Sequence, residues 1–262
     1  MSRTLAILGV QLRRSVLVAL QYRVDFVLNA VMAVFWTASS IVPLFVLYSN
    51  RKSVAGWTWP EALVVVACFT MLKGCLSGAI QPSLQAVVEQ VRKGTLDFLL
   101  LKPADAQLLV STSRFELWRT SDVVSGALVL VYALVQLGYT PSVGAVALMA
   151  LLLVSAVAIL YAIFIVVISL AFRFVKVDNL SYLFMSIYDA ARWPASVFRG
   201  VFSFVFTFVI PLALMTTYPA LALLGRLAVT DVLIALATAA AFFLAARVVW
   251  LRSIRHYTSA GG

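Results

Sequence analysis

Six long apolar stretches, separated by shorter polar ones, constrain the fold of this chain more than any other feature of its sequence. Each is close to the ~20 residues that a helix needs to cross a bilayer. With 63% hydrophobic and 11% charged residues, the chain has too little polar surface for a water-soluble globule of 262 residues. We therefore predict an all-α integral membrane protein with six transmembrane helices, at residues 24–48, 61–81, 116–137, 143–172, 198–218 and 231–251.

The distribution of Lys and Arg predicts how these helices are oriented. If the N-terminus is cytoplasmic, sixteen of the twenty Lys and Arg residues lie in or beside cytoplasmic segments, including Arg192 and Arg199. Because cytoplasmic loops carry an excess of these residues, we expect both termini in the cytoplasm. The net charge of +10 could also suggest nucleic acid. The basic residues lie at the ends of apolar runs, however, so no nucleic-acid partner is expected.

The first 22 residues predict an amphipathic helix that lies in the membrane interface, in contact with lipid. Apolar side chains recur at helical spacing from Leu5 to Ala19, and Arg3 and Arg14 lie on the opposite face. A cleaved signal peptide is the competing interpretation. It is disfavoured because Gln11 and Arg14 interrupt the apolar core and no small-residue cleavage site follows.

A polar interruption at residues 84–103 separates the second and third predicted spans. Leu84, Val88 and Val91 share one face of a helix, and the cations of its last turn precede Gly94, as is typical of a helix end. A second, mostly apolar piece follows and closes at Pro103. We expect two short segments that lie on the cytoplasmic surface of the membrane.

Residues 219–230 are too apolar for an ordinary outer loop and too short to span a bilayer. They predict a re-entrant helix that dips into the outer leaflet and packs against protein. Pro219 suits its first turn, and Thr230 with Asp231 could cap the last span. Upstream, Pro211 is expected to bend the fifth span, and residues 177–194 are expected to form a cytoplasmic surface helix with an Asp189–Arg192 ion pair.

Three stretches resemble ABC-2 type permeases, in particular the bacterial ABC-2 family transporter proteins that occur as two permeases with one ATPase. They are VRKGTLDFLLLKP at 91–103, the segment 191–225 and the ending IRHYTSAGG at 254–262. The six spans, the interface helix, the cytoplasmic linker and the re-entrant piece agree with this resemblance. It implies a single permease domain over residues 1–262 in the bacterial plasma (inner) membrane.

The resemblance also implies partners and a division of labour. The chain would pair with a second permease, identical or homologous, and export a small amphipathic or toxic molecule. No G-x-x-x-x-G-K-[ST] motif occurs, so ATP and Mg are expected in a separate ABC ATPase subunit, with no cofactor and no catalytic residue in this chain. The resemblance assigns the ATPase-coupling role to Glu89, Arg92, Lys93, Gly94, Thr95, Leu96, Asp97 and Phe98. A charged inner loop without a partner is the alternative.

Polar or aromatic residues inside the predicted spans are candidates for a translocation path. They are Asn29, Thr37, Ser40, Thr70, Lys73, Ser77, Phe202 and Phe206. Lys73 could instead extend its amine toward the cytoplasm, and the phenylalanines could face lipid. Gly74 and Gly78 are spaced for close helix packing.

Two other classes of protein remain open. An intramembrane enzyme would need paired acids or a nucleophile and base at mid-depth, and a secondary transporter ordinarily shows internal repeats. Neither pattern is found. His256 is the only histidine, so no His-based metal site is expected.

Overall fold

The computed structural model describes residues 2–21, 23–172, 178–206 and 210–255, and the tail with His256 lies outside these ranges. Helices account for nearly all of the described regular structure, which agrees with the predicted all-α class. The helices are α1 Ser2–Gln21, α2 Arg23–Ser49, α3 Trp59–Cys75, α4 Gln81–Arg92, α5 Asp97–Leu100, α6 Ala106–Ser111, α7 Thr120–Leu137, α8 Val143–Ser169, α9 Asp178–Tyr188, α10 Val201–Phe204, α11 Tyr218–Leu223 and α12 Val229–Arg255. A hairpin of β1 Ser53–Val54 and β2 Trp57–Thr58 joins α2 to α3.

Five described helices are long and apolar enough to cross a membrane, which supports five of the six predicted spans. They cover Val24–Ser49, Trp59–Arg92, Leu117–Leu137, Val143–Ser169 and Val229–Arg255. Helix α1 forms where the interface helix was predicted, and its position at the membrane surface stays a prediction. Helix α12 begins at Val229, so Thr230 and Asp231 lie in its first turn and do not cap it.

The second span is longer than predicted because α3 and α4 are one continuous helix of 34 residues, Trp59–Arg92. At 1.5 Å per residue it is about 50 Å long, well beyond the ~30 Å hydrocarbon core. The segment from Leu84 onward is therefore not a separate surface helix, and this part of the prediction is wrong. Its apolar face is buried as expected, with Leu84 and Val88 in the main core. The helix ends beside Gly94, which has φ +65°, as the sequence predicted.

A π-helical turn, Leu76–Ile80, connects α3 to α4. Such a turn holds one residue more than an α-helical turn and releases backbone groups from the regular ladder. Here the carbonyl of Gly78 accepts a hydrogen bond from the amide of Glu116 over 2.7 Å. Just beyond it, the hydroxyl of Ser83 donates to the carbonyl of Arg114 over 2.6 Å. The chain that leads into α7 is thereby fixed against the α3–α4 helix.

Helix α3 lies at the centre of the fold, and its contact with α7 depends on two glycines. A Cβ atom at Gly126 of α7 would lie 2.9 Å from the carbonyl oxygen of Ala67, and one at Gly74 of α3 would lie 2.8 Å from Val123 Cγ2. Both distances are shorter than a carbon side chain tolerates. The two backbones therefore approach as closely as small residues permit, which confirms the packing role predicted for Gly74 and Gly78.

Residues 178–197 run toward the hairpin, although the sequence predicted that they lie at the opposite end. Tyr188 at the end of α9 stacks on Phe69 of α3, with ring centroids 5.2 Å apart. Farther along, the indole of Trp57 in the hairpin donates to the hydroxyl of Ser196 over 3.1 Å. The chain has thus reached the hairpin end of the bundle by Ser196. The prediction of a surface helix over residues 177–194 at the α4 end is wrong.

The predicted fifth span, 198–218, is not a single straight helix. It contains the short helix α10, an interruption at Pro211 and a π-helical segment, Ala213–Thr217, that continues into α11. Pro219 is the second residue of α11, which continues without a break from the π-helical segment. The hydroxyl of Thr216 donates to the carbonyl of Ala191 over 2.8 Å, which ties this segment to the chain that precedes it. Whether residues 219–230 enter the bilayer stays a prediction.

We predict that Gly126→Ala destabilises the fold by roughly 1–3 kcal/mol, because the added methyl meets backbone atoms that cannot rotate away. Gly144→Ala is the matched control, since the nearest atom to a Cβ there is 3.9 Å away. Thermal unfolding of the detergent-solubilised protein measures both. Equal midpoints for the two variants would contradict the close α3–α7 contact.

We predict that Arg199→Cys and Arg51→Cys react with a membrane-impermeant maleimide from the same side of the membrane, and Lys93→Cys from the other. The contact between Ser196 and the hairpin requires this arrangement. The measurement uses intact and permeabilised cells, in a background with Cys68→Ala and Cys75→Ala. Labelling of residues 199 and 93 from one side would contradict the path described for residues 178–197.

Candidate functional site

A cavity of about 590 Å³ lies between α2, α3, the start of α7 and the turn that follows α9. This volume is within the usual range for small-molecule pockets, about 300–1,000 Å³. Its lining residues are Asn29, Met32, Ala33, Trp36, Thr37, Ser39, Ser40, Phe69, Thr70, Lys73, Arg119, Asp122, Asp189 and Arg192. The lining therefore contains polar, charged and apolar side chains.

The structure brings together five of the eight residues predicted for a translocation path. The five that line the cavity are Asn29, Thr37, Ser40, Thr70 and Lys73. The other three lie elsewhere: Ser77 is buried in the π-helical turn, and Phe202 and Phe206 form an aromatic group with Phe198. That any of these residues contacts a transported molecule stays a prediction.

A cluster of charged side chains forms one wall of the cavity. Asp189 Oδ1 lies 3.1 Å from Arg192 Nη2 and 3.6 Å from Lys73 Nζ. The Asp189–Arg192 pair was predicted from the sequence, but its contact with Lys73 was not. Both cations also lie over the ring of Phe69, with Lys73 Nζ 5.8 Å and Arg192 Cζ 5.5 Å from its centroid. This geometry is favourable because the ring face is electronegative.

Arg119 and Asp122 form a second charged group on the α7 side. Arg119 Nη1 lies 3.6 Å from Asp122 Oδ2, and Arg119 Nε lies 3.9 Å from Glu116 Oε2. Sequence analysis assigned no role to these residues and missed their place in the cavity. The glycine pair in the sequence indicates a close helix contact, and the structure shows that Arg119 lies at it, because a Cβ at Gly78 would lie 3.0 Å from Arg119 Cβ.

Helix α2 supplies a wall of the cavity that mixes apolar and polar side chains. Met32, Ala33 and Trp36 lie there beside Asn29, Thr37, Ser39 and Ser40. The side chain of Trp36 is 63% exposed, so much of its ring is available to another molecule. The hydroxyl of Ser40 donates a hydrogen bond to the carbonyl of Thr37, so its donor is already used within the helix. A molecule that filled this space would meet both charged side chains and an indole.

The predicted ATPase-coupling residues lie at the end of α4 and in α5. Lys93 Nζ is 2.6 Å from Glu89 Oε1, an ion pair one helical turn apart. Leu96 is fully buried and anchors the turn, whereas Phe98 is 71% exposed and presents its ring outward. The eight residues thus divide into a buried anchor and an exposed, mostly polar surface. Their contact with an ATPase stays a prediction.

A polar network links the chain after α5 to the last helix. Arg247 of α12 donates to Asp105 Oδ1 over 3.2 Å and to Gln107 Oε1 over 2.7 Å. Gln107 Nε2 in turn donates to the hydroxyl of Tyr161 in α8 over 2.9 Å. The hydrogen bond from Arg247 lowers the pKa of Asp105 below its ordinary 3.8. The stability that the ionised Asp105 carboxylate gains from this hydrogen bond is therefore fully present at neutral pH and is lost only in acid, when the carboxylate is protonated.

No group of three or more His, Cys, Asp or Glu in the described ranges is placed to hold a metal ion.

At the hairpin end, Glu61 of α3 pairs with Arg226 and accepts a hydrogen bond from the amide of Thr58 over 2.8 Å. These groups fix the start of α3 to the chain that precedes α12. Sequence analysis did not predict this pair, because 165 residues separate its members.

Comparison with known proteins identifies the family. Residues 34–261 match the model of a family described as ABC-2 family transporter protein. No curated protein and no solved structure gives a significant match. The match covers most of the chain, including the cavity-lining residues from Trp36 onward, the predicted coupling residues and all the long helices from α3 onward. The chain is therefore a multi-pass membrane protein that belongs to the ABC-2 family of transporter proteins.

Proposed function

We propose that this chain is the transmembrane permease subunit of an ATP-binding cassette exporter. It forms, with a second identical or homologous permease, the path for a small amphipathic or toxic molecule. A separate ABC ATPase binds ATP and Mg and drives the transport. The observation that carries this proposal is the family match, combined with a cavity whose lining contains both charged and apolar side chains.

We further propose that the chain crosses the bacterial plasma membrane six times, with both termini in the cytoplasm. Residues 178–197 supply the fifth crossing, because they connect the end of α8 to the hairpin end of the bundle. Residues 198–206 and 210–223 then lie on the path that enters from the hairpin side and returns to it. Arg226, which pairs with Glu61 near the start of α3, lies at that same end. This arrangement supports an outer location for the hairpin.

The continuous α3–α4 helix supports a mechanical connection between ATPase and cavity. Lys73 in the cavity and Glu89 in the coupling segment belong to the same 34-residue helix, Trp59–Arg92. A movement imposed on the exposed end of α4 therefore reaches the cavity wall without passing through a loop. Rigid movements of packed helices are a usual form of such coupling. Leu96, fully buried, keeps the segment attached to the bundle.

The network around Arg247 offers a second connection through which a movement of the coupling segment can reach the other helices. It holds the chain after α5 to α8 and α12 through Asp105, Gln107 and Tyr161. The helices on the far side of the bundle are thereby tied to the coupling segment. We propose that this network transmits ATPase-driven movement and does not itself bind the ATPase.

Truncation of Phe98 tests the coupling segment. We predict that Phe98→Ala weakens co-purification of the ABC ATPase expected from the neighbouring gene by about tenfold or more, since loss of a central aromatic anchor costs roughly 2 kcal/mol. Phe202→Ala is the matched control, because Phe202 is similarly exposed, at 65% against 71%, but distant from α5. Unchanged co-purification of the Phe98 variant would remove this residue from the interface. Failure of any ATPase to co-purify would contradict the proposed function.

Substitution of Arg247 tests transmission. We predict that Arg247→Gln leaves ATPase co-purification intact and lowers transport in vesicles about tenfold, because the chain after α5 loses its charge-assisted link to α12. Arg255→Gln, on the same helix, is the control and should transport normally. Normal transport by the Arg247 variant would show that the network serves stability alone.

A further inference from the structure

We propose that the cavity recognises an acidic amphiphile, a molecule with one anionic group attached to an apolar or aromatic body. The anionic group binds between Lys73 and Arg192, and the apolar body lies against Trp36 and Met32. This inference rests on the proposed function, because it names the chemical class of molecule that the permease would take. It is carried by the distribution of charge within the cavity.

Three cations, Lys73, Arg119 and Arg192, and two acids, Asp122 and Asp189, line the cavity, so its lining has one positive charge in excess. Arg119 has two carboxylates within 4 Å, those of Asp122 and Glu116. Lys73 and Arg192, by contrast, share the single carboxylate of Asp189. The unbalanced positive charge therefore lies between Lys73 and Arg192. An anion placed there would meet two cations and one acid in direct contact with them, with the carboxylate of Asp122 farther from Lys73.

The geometry of Lys73 shows that its binding capacity is not filled. Its Nζ lies 3.6 Å from Asp189 Oδ1, which is longer than the 2.7–3.2 Å of a normal hydrogen bond. An ammonium group has three N–H donors. Asp189 instead makes its closer contact with Arg192, at 3.1 Å. A ligand carboxylate, sulfonate or phosphate could accept hydrogen bonds from Lys73 without displacing the Asp189–Arg192 pair.

The surroundings favour an amphiphile over a small inorganic anion. The ring of Phe69 lies under both cations and keeps them on one wall. Trp36, 63% exposed, and Met32 cover another wall of the same cavity. A volume of about 590 Å³ accommodates a molecule the size of a drug or a short lipid fragment. An inorganic anion would leave the indole and thioether surfaces uncovered.

Two probes of nearly identical shape test the proposal on the purified chain in nanodiscs of zwitterionic lipid. One is 1-anilinonaphthalene-8-sulfonate, and the other is N-phenyl-1-naphthylamine, which lacks only the sulfonate. We expect Lys73→Gln to weaken binding of the sulfonate about tenfold, as for loss of a charge-assisted hydrogen bond, and to leave the neutral probe unchanged. Lys52→Gln, which removes a cation from the exposed loop before the hairpin, should change neither.

Two further variants distinguish a specific effect on sulfonate binding from misfolding of the protein. Lys73→Arg keeps the charge and should retain sulfonate binding. Asp189→Asn removes the competing acid and should tighten sulfonate binding several-fold, a gain that misfolding cannot produce. An equal effect of Lys73→Gln on both probes, an unchanged affinity, or weaker binding by Asp189→Asn would overturn the proposal.

The source of the acid can be separated in the same assay. Phosphatidylglycerol in the nanodisc competes with the sulfonate if the natural ligand is an anionic lipid, and has no effect if it is a solute. In both cases the dependence on Lys73 must remain, and its loss would overturn the proposal. The assay needs neither ATPase nor transport. A failure here with normal ATPase co-purification would therefore reject the ligand class and leave the exporter function in place.

Discussion

The close approach of α3 and α7 is the constraint on which the rest of the structure depends. Gly74 and Gly126 allow the two backbones to touch, and no larger residue fits without a shift of its neighbours. Without a hydrophobic driving force between helices inside a membrane, such small-residue contacts are a main source of association. The contact places Arg119 beside Gly78 and so brings the α7 charges to the same cavity as Lys73. Packing and site are thus consequences of the same glycines.

Much of the fold could be predicted from the sequence because its signals are local. Long apolar runs identify five spans, and Gly94 identifies the end of α4. Several residues of the cavity lining were named from the sequence for the same reason, since polar residues such as Thr70 and Lys73 are conspicuous within an apolar helix. Arg119 and Asp122 were missed because they lie near a helix end, where a charged residue usually needs no explanation. Only the spatial position of α7 reveals their role.

The path of the chain after α8 could not be predicted, because the distribution of apolar residues there suggests the wrong segment as the span. Residues 198–218 form the more apolar stretch and resemble a span, yet they are broken at Pro211. Residues 178–197 carry Asp189 and Arg192 and resemble a surface segment, yet they reach the hairpin. Their charges are accommodated because Lys73 of α3 shares Asp189 with Arg192. These ion pairs stabilise charged residues inside the bundle, although the same charges make the segment look too polar to cross a membrane when it is judged from the sequence.

The π-helical turn at Leu76–Ile80 sets the rotational phase between the two halves of the long helix. In an uninterrupted α-helix, residues 73 and 84 would lie only roughly 20° apart around the axis, since each residue advances about 100°. Lys73 would then point in nearly the same direction as Leu84, which is fully buried. The additional residue in the turn rotates one half against the other by about 100°. One inserted position thus lets a single rod present an ammonium group to an open space and, farther along, a leucine to the dense interior.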